Sequence, residues 1–263
     1  MTSAAGALTM ETPFSLAGRR ALVTGGSRGI GAAIARLFAR SGAQVAICHF
    51  GDNDGAESLR AEFGDAGHTL RSIECDVADE TAVTALADWT AGALGEVDIL
   101  INCAGIGGRD KPFGELTVAE WDRMIGVNLR GVFLVTRAFF PGMVARRYGR
   151  VVNVASQLAY KGAPGLSAYV AAKAGVVGLT RALCYEGAPF NVMVNGIAPG
   201  PVETPLLNQL SEEWRAMKKE QLPVGRFGEP EEIAPTALLL ASEVGASFYC
   251  GQTLSPNGGD VMV

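Results

Sequence analysis

The stretch Arg20-Ala21-Leu22-Val23-Thr24-Gly25-Gly26-Ser27-Arg28-Gly29-Ile30-Gly31 opens on a short apolar run and passes at once into glycine. Residues 21–24 read as a buried strand, because apolar side chains fill the run without alternation. Beyond the glycines, Ile30, Ile34, Leu37 and Phe38 recur at helical spacing and mark one face of a helix that ends near Ser41-Gly42. A strand that turns through glycine into a helix is the first corner of a βα unit. Glycine permits the tight turn and lets backbone N–H groups approach a pyrophosphate at the positive helix end, which makes Gly25, Ser27, Arg28, Gly29, Ile30 and Gly31 candidate binding residues.

Working outward, the same rhythm repeats. Apolar, β-branched runs at 45–49, 72–76, 99–103, 151–155, 192–197 and 253–255 read as further strands. Helical periodicity fits 80–91, 118–146, 168–187 and 231–242. Seven strands with right-handed helical crossovers predict an α/β fold of one domain, a Rossmann-type doubly wound parallel sheet with helices on both faces. Residues 1–15 read as a flexible tail and 16–263 as the domain. The segment 199–230 breaks the rhythm with five prolines and a charged helical insert at 210–222. It follows a strand's carboxyl end, where open α/β sheets bind ligands, and reads as a substrate lid whose insert lays an apolar face inward.

Composition narrows the function. In 263 residues, 22 Lys plus Arg stand against 27 Asp plus Glu for a formal charge of −5, with no basic run to neutralise phosphates, so nucleic acid is not a predicted partner. No apolar stretch approaches the roughly 20 residues that cross a bilayer, and residues 1–13 lack the basic n-region and apolar core of a secretory signal. A cytoplasmic protein is expected. The five cysteines, Cys48, Cys75, Cys103, Cys184 and Cys250, form no CxxC pair and read as buried free thiols. Two scattered histidines, His49 and His68, predict no metal site.

Four polar residues carry chemistry. Tyr169 and Lys173 stand four apart on a predicted helix, so both emerge from one face and can meet. A phenol with a reference pKa near 10 becomes a useful acid–base group at neutral pH when a cation favours its phenolate. Ser156 lies just past a strand, thirteen residues before Tyr169, where its hydroxyl can hydrogen-bond a substrate oxygen. Asn128 interrupts a helical stretch and can bend it, holding a water behind Lys173.

Taken with the glycine turn, Asn102-Cys103-Ala104-Gly105, Asn128, Ser156, Tyr169-xxx-Lys173 and Pro199-Gly200 resemble the short-chain dehydrogenase/reductase family, over essentially the whole chain after Phe14. The resemblance implies an NAD(P)(H)-dependent oxidoreductase that moves hydride between nicotinamide and a ketone or secondary alcohol. It assigns Asn128, Ser156, Tyr169 and Lys173 to catalysis and adds Asp76, Val77, Asn102, Ala104, Gly105, Pro199, Gly200, Val202 and Thr204 to the cofactor residues. Gln157 joins Ser156 and Tyr169 as a substrate candidate. Three positions depart from the pattern: Cys103 replaces an Asn, which should remove a polar contact in the central sheet without touching the chemistry; Met193 replaces an Arg; and the chain ends Asn257-Gly258-Gly259 where Asp-Gly-Gly is frequent.

The end of the second strand carries His49 where a carboxylate would select NAD(H), and Arg28 offers a cation, so NADP(H) is favoured with NAD(H) as the alternative, Phe50 and Asp52 close by narrowing the preference. The chain is most similar to the 3-oxoacyl carrier-protein reductase branch. In that branch two basic positions dock the acidic carrier; one matches Arg147, the other falls on Phe190. A sugar or polyol dehydrogenase and a nucleotide-binding regulator without turnover remain alternatives. Apolar residues around the long helices, among them Val132, Phe133, Val135, Phe139, Phe140, Val176, Val177, Leu179 and Leu183, exceed what one face can bury and predict a homotetramer, as the family also implies.

Overall fold

The strands form where the sequence offers side chains that can be buried on both faces: β1 (Arg20–Thr24), β2 (Gln44–His49), β4 (Ile99–Asn102) and β5 (Gly149–Val154) are almost wholly buried. In the computed structural model, which describes residues 14–108 and 110–262, they join β3 (Leu70–Glu74), β6 (Val192–Ile197) and β7 (Thr253–Leu254) in one sheet. The strand order is β3-β2-β1-β4-β5-β6-β7 and every pairing is parallel. The order reverses between β1 and β4, where Thr24 stands level with both Cys48 and Asn102. The crevice outside these carboxyl ends is where such sheets bind ligands. The predicted tail falls largely on residues 1–13, outside the described residues.

Helices cover both faces, as the parallel sheet requires. On one side α1 (Gly29–Arg40), α2 (Asn53–Asp65) and α9 (Pro230–Ala241) contribute Ile34, Phe38, Leu59, Phe63, Ile233 and Leu240 to a continuous core. On the other, α3 (Glu80–Ala93), α5 (Gly131–Arg146) and α7 (Ser167–Gly187) contribute Leu86, Val135, Met143 and Leu183. Sequence reasoning missed α2, a polar segment whose buried stripe is Ala56, Leu59 and Phe63. It also placed β3 two residues late: Leu70 pairs with Val45, and Asp76 lies beyond the strand, accepting the Ala78 N–H in a turn.

Two further expectations are corrected. The predicted single helix 118–146 is α4 (Val118–Ile125), a π-helical turn at Gly126–Arg130 and α5. Cys184 and Cys250 are bonded as a disulfide with Cα atoms 5.6 Å apart, a pairing between α7 and the approach to β7 that their spacing of 66 could not reveal; Cys48 and Cys75 are free and buried, and Cys103 is free and half-buried. Of the nine apolar residues singled out on the long helices, Val132, Val135, Val176 and Val177 are buried, Phe139, Phe140, Leu179 and Leu183 are half-buried, and Phe133 is exposed. No described helix is long and apolar enough to cross a membrane, and no described cluster of His, Cys, Asp or Glu could hold a metal.

Candidate active site

The glycine turn is shaped by contacts that exclude side chains. A Cβ on Gly31 would lie 2.2 Å from the Gly25 carbonyl oxygen, and one on Gly25, itself at φ +62°, would lie 2.8 Å from the Ala104 Cα. The β1 and β4 turns are thereby pressed together, and Thr24 Oγ1 accepts the N–H groups of Cys103 and Ala104 at 3.0 and 3.1 Å. The N-terminus of α1 has no side-chain cap and no acidic residue in its first turn, so its free N–H groups and positive dipole end suit a pyrophosphate. Ile30 packs against the core and orients the turn.

At the adenosine side, His49 is buried at the end of β2 and its Nδ1 has no partner among the described residues. Asp52, three residues on, is a neighbour of the glycine turn. Its carboxylate accepts from Ser27 Oγ at 2.6 Å and lies 3.9 Å from Arg28 Nε, so the cation read as free for a phosphate faces an anion. Asp76 has Arg123 3.6 Å away, and Val77 is buried against Gly131.

The catalytic candidates converge at the carboxyl end of β5. Lys173 is buried and donates from Nζ to the Val154 carbonyl at 2.8 Å, with Nζ 5.8 Å from the Tyr169 ring centre. Burial disfavours its ammonium and lowers its pKa to about 8, against a weaker opposing pull from Cys103. Burial raises the Tyr169 phenol above its ordinary value, opposed by a hydrogen bond with the Ser156 hydroxyl. Ser156 is buried and its Oγ accepts the Leu158 N–H at 3.2 Å.

Asn128 sits in the π-helical turn, fully buried, with its amide holding both the N–H and the carbonyl of Ile106 at 3.1 and 3.0 Å. A Cβ on Gly105 would lie 2.6 Å from Asn128 Oδ1 and 3.5 Å from Lys173 Nζ, so Gly105 is the gap through which these two groups approach. π-turns of this kind recur at functional sites.

Other residues stand elsewhere than expected. Asn102 turns its amide into the core, donating to Thr136 and to Asn153, which in turn donates to Thr180. The polar contact thought lost at Cys103 is thus carried by Asn102. Cys103 itself lies close enough to Lys173 and Tyr169 to perturb both, and burial raises its thiol to about 11, so it does border the chemistry. Gln157 is buried; its Nε2 donates to Asp260 and its Oε1 has no partner among the described residues. Pro199 accepts the Gln157 N–H and Gly200 donates to the Pro256 carbonyl.

The segment after Gly200 runs back over the cleft. Val202 is buried and bridges to Gly228, Thr204 lies against Gly29, and Leu206 lies against Gly107. Its helix α8 (Glu212–Gln221) lies in a segment that buries only part of the apolar face predicted for it, Leu222 being buried. Trp214 packs on Phe227, Arg215 pairs with Glu203 and Lys218 is buried, whereas Met217 and Leu210 are exposed. Ion pairing with distant partners overrides the helical pattern. The Arg147 guanidinium lies over the Phe190 ring at 5.6 Å.

Comparison with known proteins supplies the deciding observation. The family described as enoyl-(acyl carrier protein) reductase matches residues 25–260. A 3-oxoacyl-[acyl-carrier-protein] reductase of Aquifex aeolicus is 39% identical over 94% of this chain and 98% of its own length. The chain belongs to the short-chain dehydrogenase/reductase family. It is therefore an NAD(P)-dependent oxidoreductase. Other members that it resembles include a cis-4-hydroxycyclohexanecarboxylate dehydrogenase of Sinomonas cyclohexanicum, 42% identical over 93% of this chain and 97% of that one. A gluconate 5-dehydrogenase of Burkholderia cenocepacia, solved with NADP and tartrate, superposes with a TM-score of 0.88 at 36% identity, covering 94% of this chain and 97% of that one. Within this short-chain dehydrogenase/reductase, sequence reasoning overlooked Asp260, which no local signal marks; it weighed Asp52 in the cofactor choice but not its pairing with the glycine turn.

Proposed function

We propose that this chain interconverts a ketone and a secondary alcohol with NADP(H), with Tyr169 as the proton donor and acceptor at the substrate oxygen. The observation that carries the reading is the convergence of Ser156, Tyr169 and the buried Lys173 ammonium at one strand end. Ser156 hydrogen-bonds the substrate oxygen, and Lys173 stabilises the phenolate that Tyr169 becomes. Asn128 fixes the π-turn against Ile106, where a water would return protons from solvent. The nicotinamide cofactor, when bound, supplies or accepts the hydride. The uncapped α1 terminus would hold its phosphates, Arg28 and His49 its adenosine end, and Thr204, which lies against Gly29, its carboxamide.

The substrate is a small carbonyl compound or a 3-oxoacyl thioester, as the names of several relatives suggest. A sugar or polyol substrate is the second reading, favoured by the partnerless Gln157 Oε1 beside Ser156 and by the gluconate dehydrogenases among the structural relatives. For the cofactor, Asp52 is the observation that favours NAD(H). Residues 199–230 act as the lid. A homotetramer and a cytoplasmic location belong to the same reading.

The test is direct. Purified protein is mixed with NADPH or NADH and with acetoacetyl thioesters, keto-sugar acids and simple cyclic ketones, and nucleotide oxidation is followed. Turnover of a ketone with NADPH preferred is the expected outcome. Cofactor binding without turnover of any carbonyl class would assign the chain to the non-catalytic alternative.

A further inference from the structure

The last described residues meet two segments that lie far from them in sequence. Asp260 has a side chain only 5% exposed, and its Oδ1 accepts from Lys161 Nζ at 2.6 Å and from Lys218 Nζ at 2.7 Å. Its Oδ2 accepts from Gln157 Nε2. Lys218 belongs to α8, and its side chain is 9% exposed. Gln157 follows Ser156, and Lys161 closes the short helix α6 (Leu158–Lys161). One carboxylate therefore ties the helix of the 199–230 segment to the loop that leaves the catalytic strand.

The backbone around Asp260 is built to hold it there. Asn257 Oδ1 accepts the Gly259 N–H at 2.9 Å, and Asn257 Nδ2 donates to the Val261 carbonyl at 2.6 Å. Gly258 and Gly259 take φ of +66° and +86°, and a Cβ on either would come within 2.7 Å of Val224 or Pro223, just beyond α8. The Val224 N–H donates to the Gly258 carbonyl at 3.3 Å. The Asn-Gly-Gly sequence thus folds into a seat that brings Asp260 under the helix. Burial pushes the Asp260 carboxyl up, but hydrogen bonds from Lys161, Lys218 and Gln157 more than offset this and hold it below its ordinary value, so it is ionised at neutral pH. Two ammonium groups share its single negative charge, and losing one member of such a buried set leaves the others uncompensated.

We propose that Asp260 is a positioning residue that fastens α8 to the loop after Ser156 and so sets how closely the substrate side of the cleft is held. It takes no part in proton or hydride transfer. The proposal rests on the reading of residues 199–230 as the lid of the oxidoreductase site.

Asp260→Asn keeps the shape and removes the charge. Its substrate KM should rise by about tenfold, while cofactor Kd and single-turnover rate at saturating substrate stay within about twofold of wild type. Amide exchange should quicken in 212–222 and 157–161 and remain unchanged in β1 to β5. Lys218→Met, which keeps the buried stem, should give the same pattern even if Asp260→Asn folds poorly, and the double variant should be no worse than Asp260→Asn alone. Wild-type KM and wild-type exchange in 212–222 would overturn the proposal, as would a loss confined to kcat or to cofactor affinity. Because exchange needs no substrate, it tests the latch even if no ketone is turned over, and failure of the oxidoreductase reading is then separate from failure of the latch.

Discussion

The wall that carries Ser156, Tyr169 and Lys173 and the 199–230 segment opposite it are held by different forces. On the first, Lys173 is anchored on the Val154 carbonyl of a fully buried strand, and Asn102, Asn153 and Thr180 link β4, β5 and α7 through the core. On the second, ion pairs link Arg215 to Glu203 within the segment and Lys218 to Asp260 far along the chain. Breaking a contact of the first wall disturbs hydrogen bonds within the core, whereas the second wall mixes the buried pair Lys218 and Asp260 with the partly exposed Glu203. The difference separates two tasks. Chemistry is placed on the rigid side, and substrate fit on a side whose contacts can change with little damage to the core.

The largest effect should come from the rigid wall. Lys173→Met is expected to lower turnover roughly 10²–10⁴-fold, because the phenolate loses its cation. The same variant sharpens the electrostatic account. Lys173 titrates at about 8 in the folded chain against an ordinary 10.5, so between these values the unfolded chain binds more protons and wild-type stability rises with pH. Denaturant titrations from pH 7 to 10.5 should therefore show wild type gaining on Lys173→Met as pH rises. A difference that is flat with pH would mean that Lys173 is not a buried cation.

A smaller effect is expected at the adenosine side, which belongs to neither wall. Arg28→Ala should weaken NADPH more than NADH by about tenfold, the worth of one charge-assisted contact. Asp52→Asn should do the reverse, strengthening NADPH relative to NADH by freeing Arg28. Equal changes for both nucleotides, measured by fluorescence titration, would make this pair structural. The smallest effect compares the walls without mutation: binding of cofactor and a substrate analogue should slow amide exchange in 206–222 while leaving β5 as it was.

The sheet was legible because its strands are continuous apolar runs, and Tyr169 and Lys173 because a helix fixes what four residues of spacing means. The glycine turn was legible for the same reason: each position answers to local geometry. What escaped depends on partners far along the chain. Nothing near Asp260 announces Lys161 or Lys218, and nothing in α8 says that Lys218 rather than Met217 is buried. The polar helix α2 was missed because three buried residues in thirteen make a weak period. Cys184 and Cys250 show the same limit, since a pairing between α7 and the approach to β7 exists only once the sheet has formed.

The central claim is that the Tyr169 hydroxyl delivers the proton. Tyr169→Phe keeps the ring against Lys173 and removes only that group, so the measurement is kcat together with cofactor Kd in one preparation. Cofactor affinity should stay within about twofold of wild type while kcat falls by roughly 10²–10⁴-fold. Wild-type kcat in Tyr169→Phe would contradict the account.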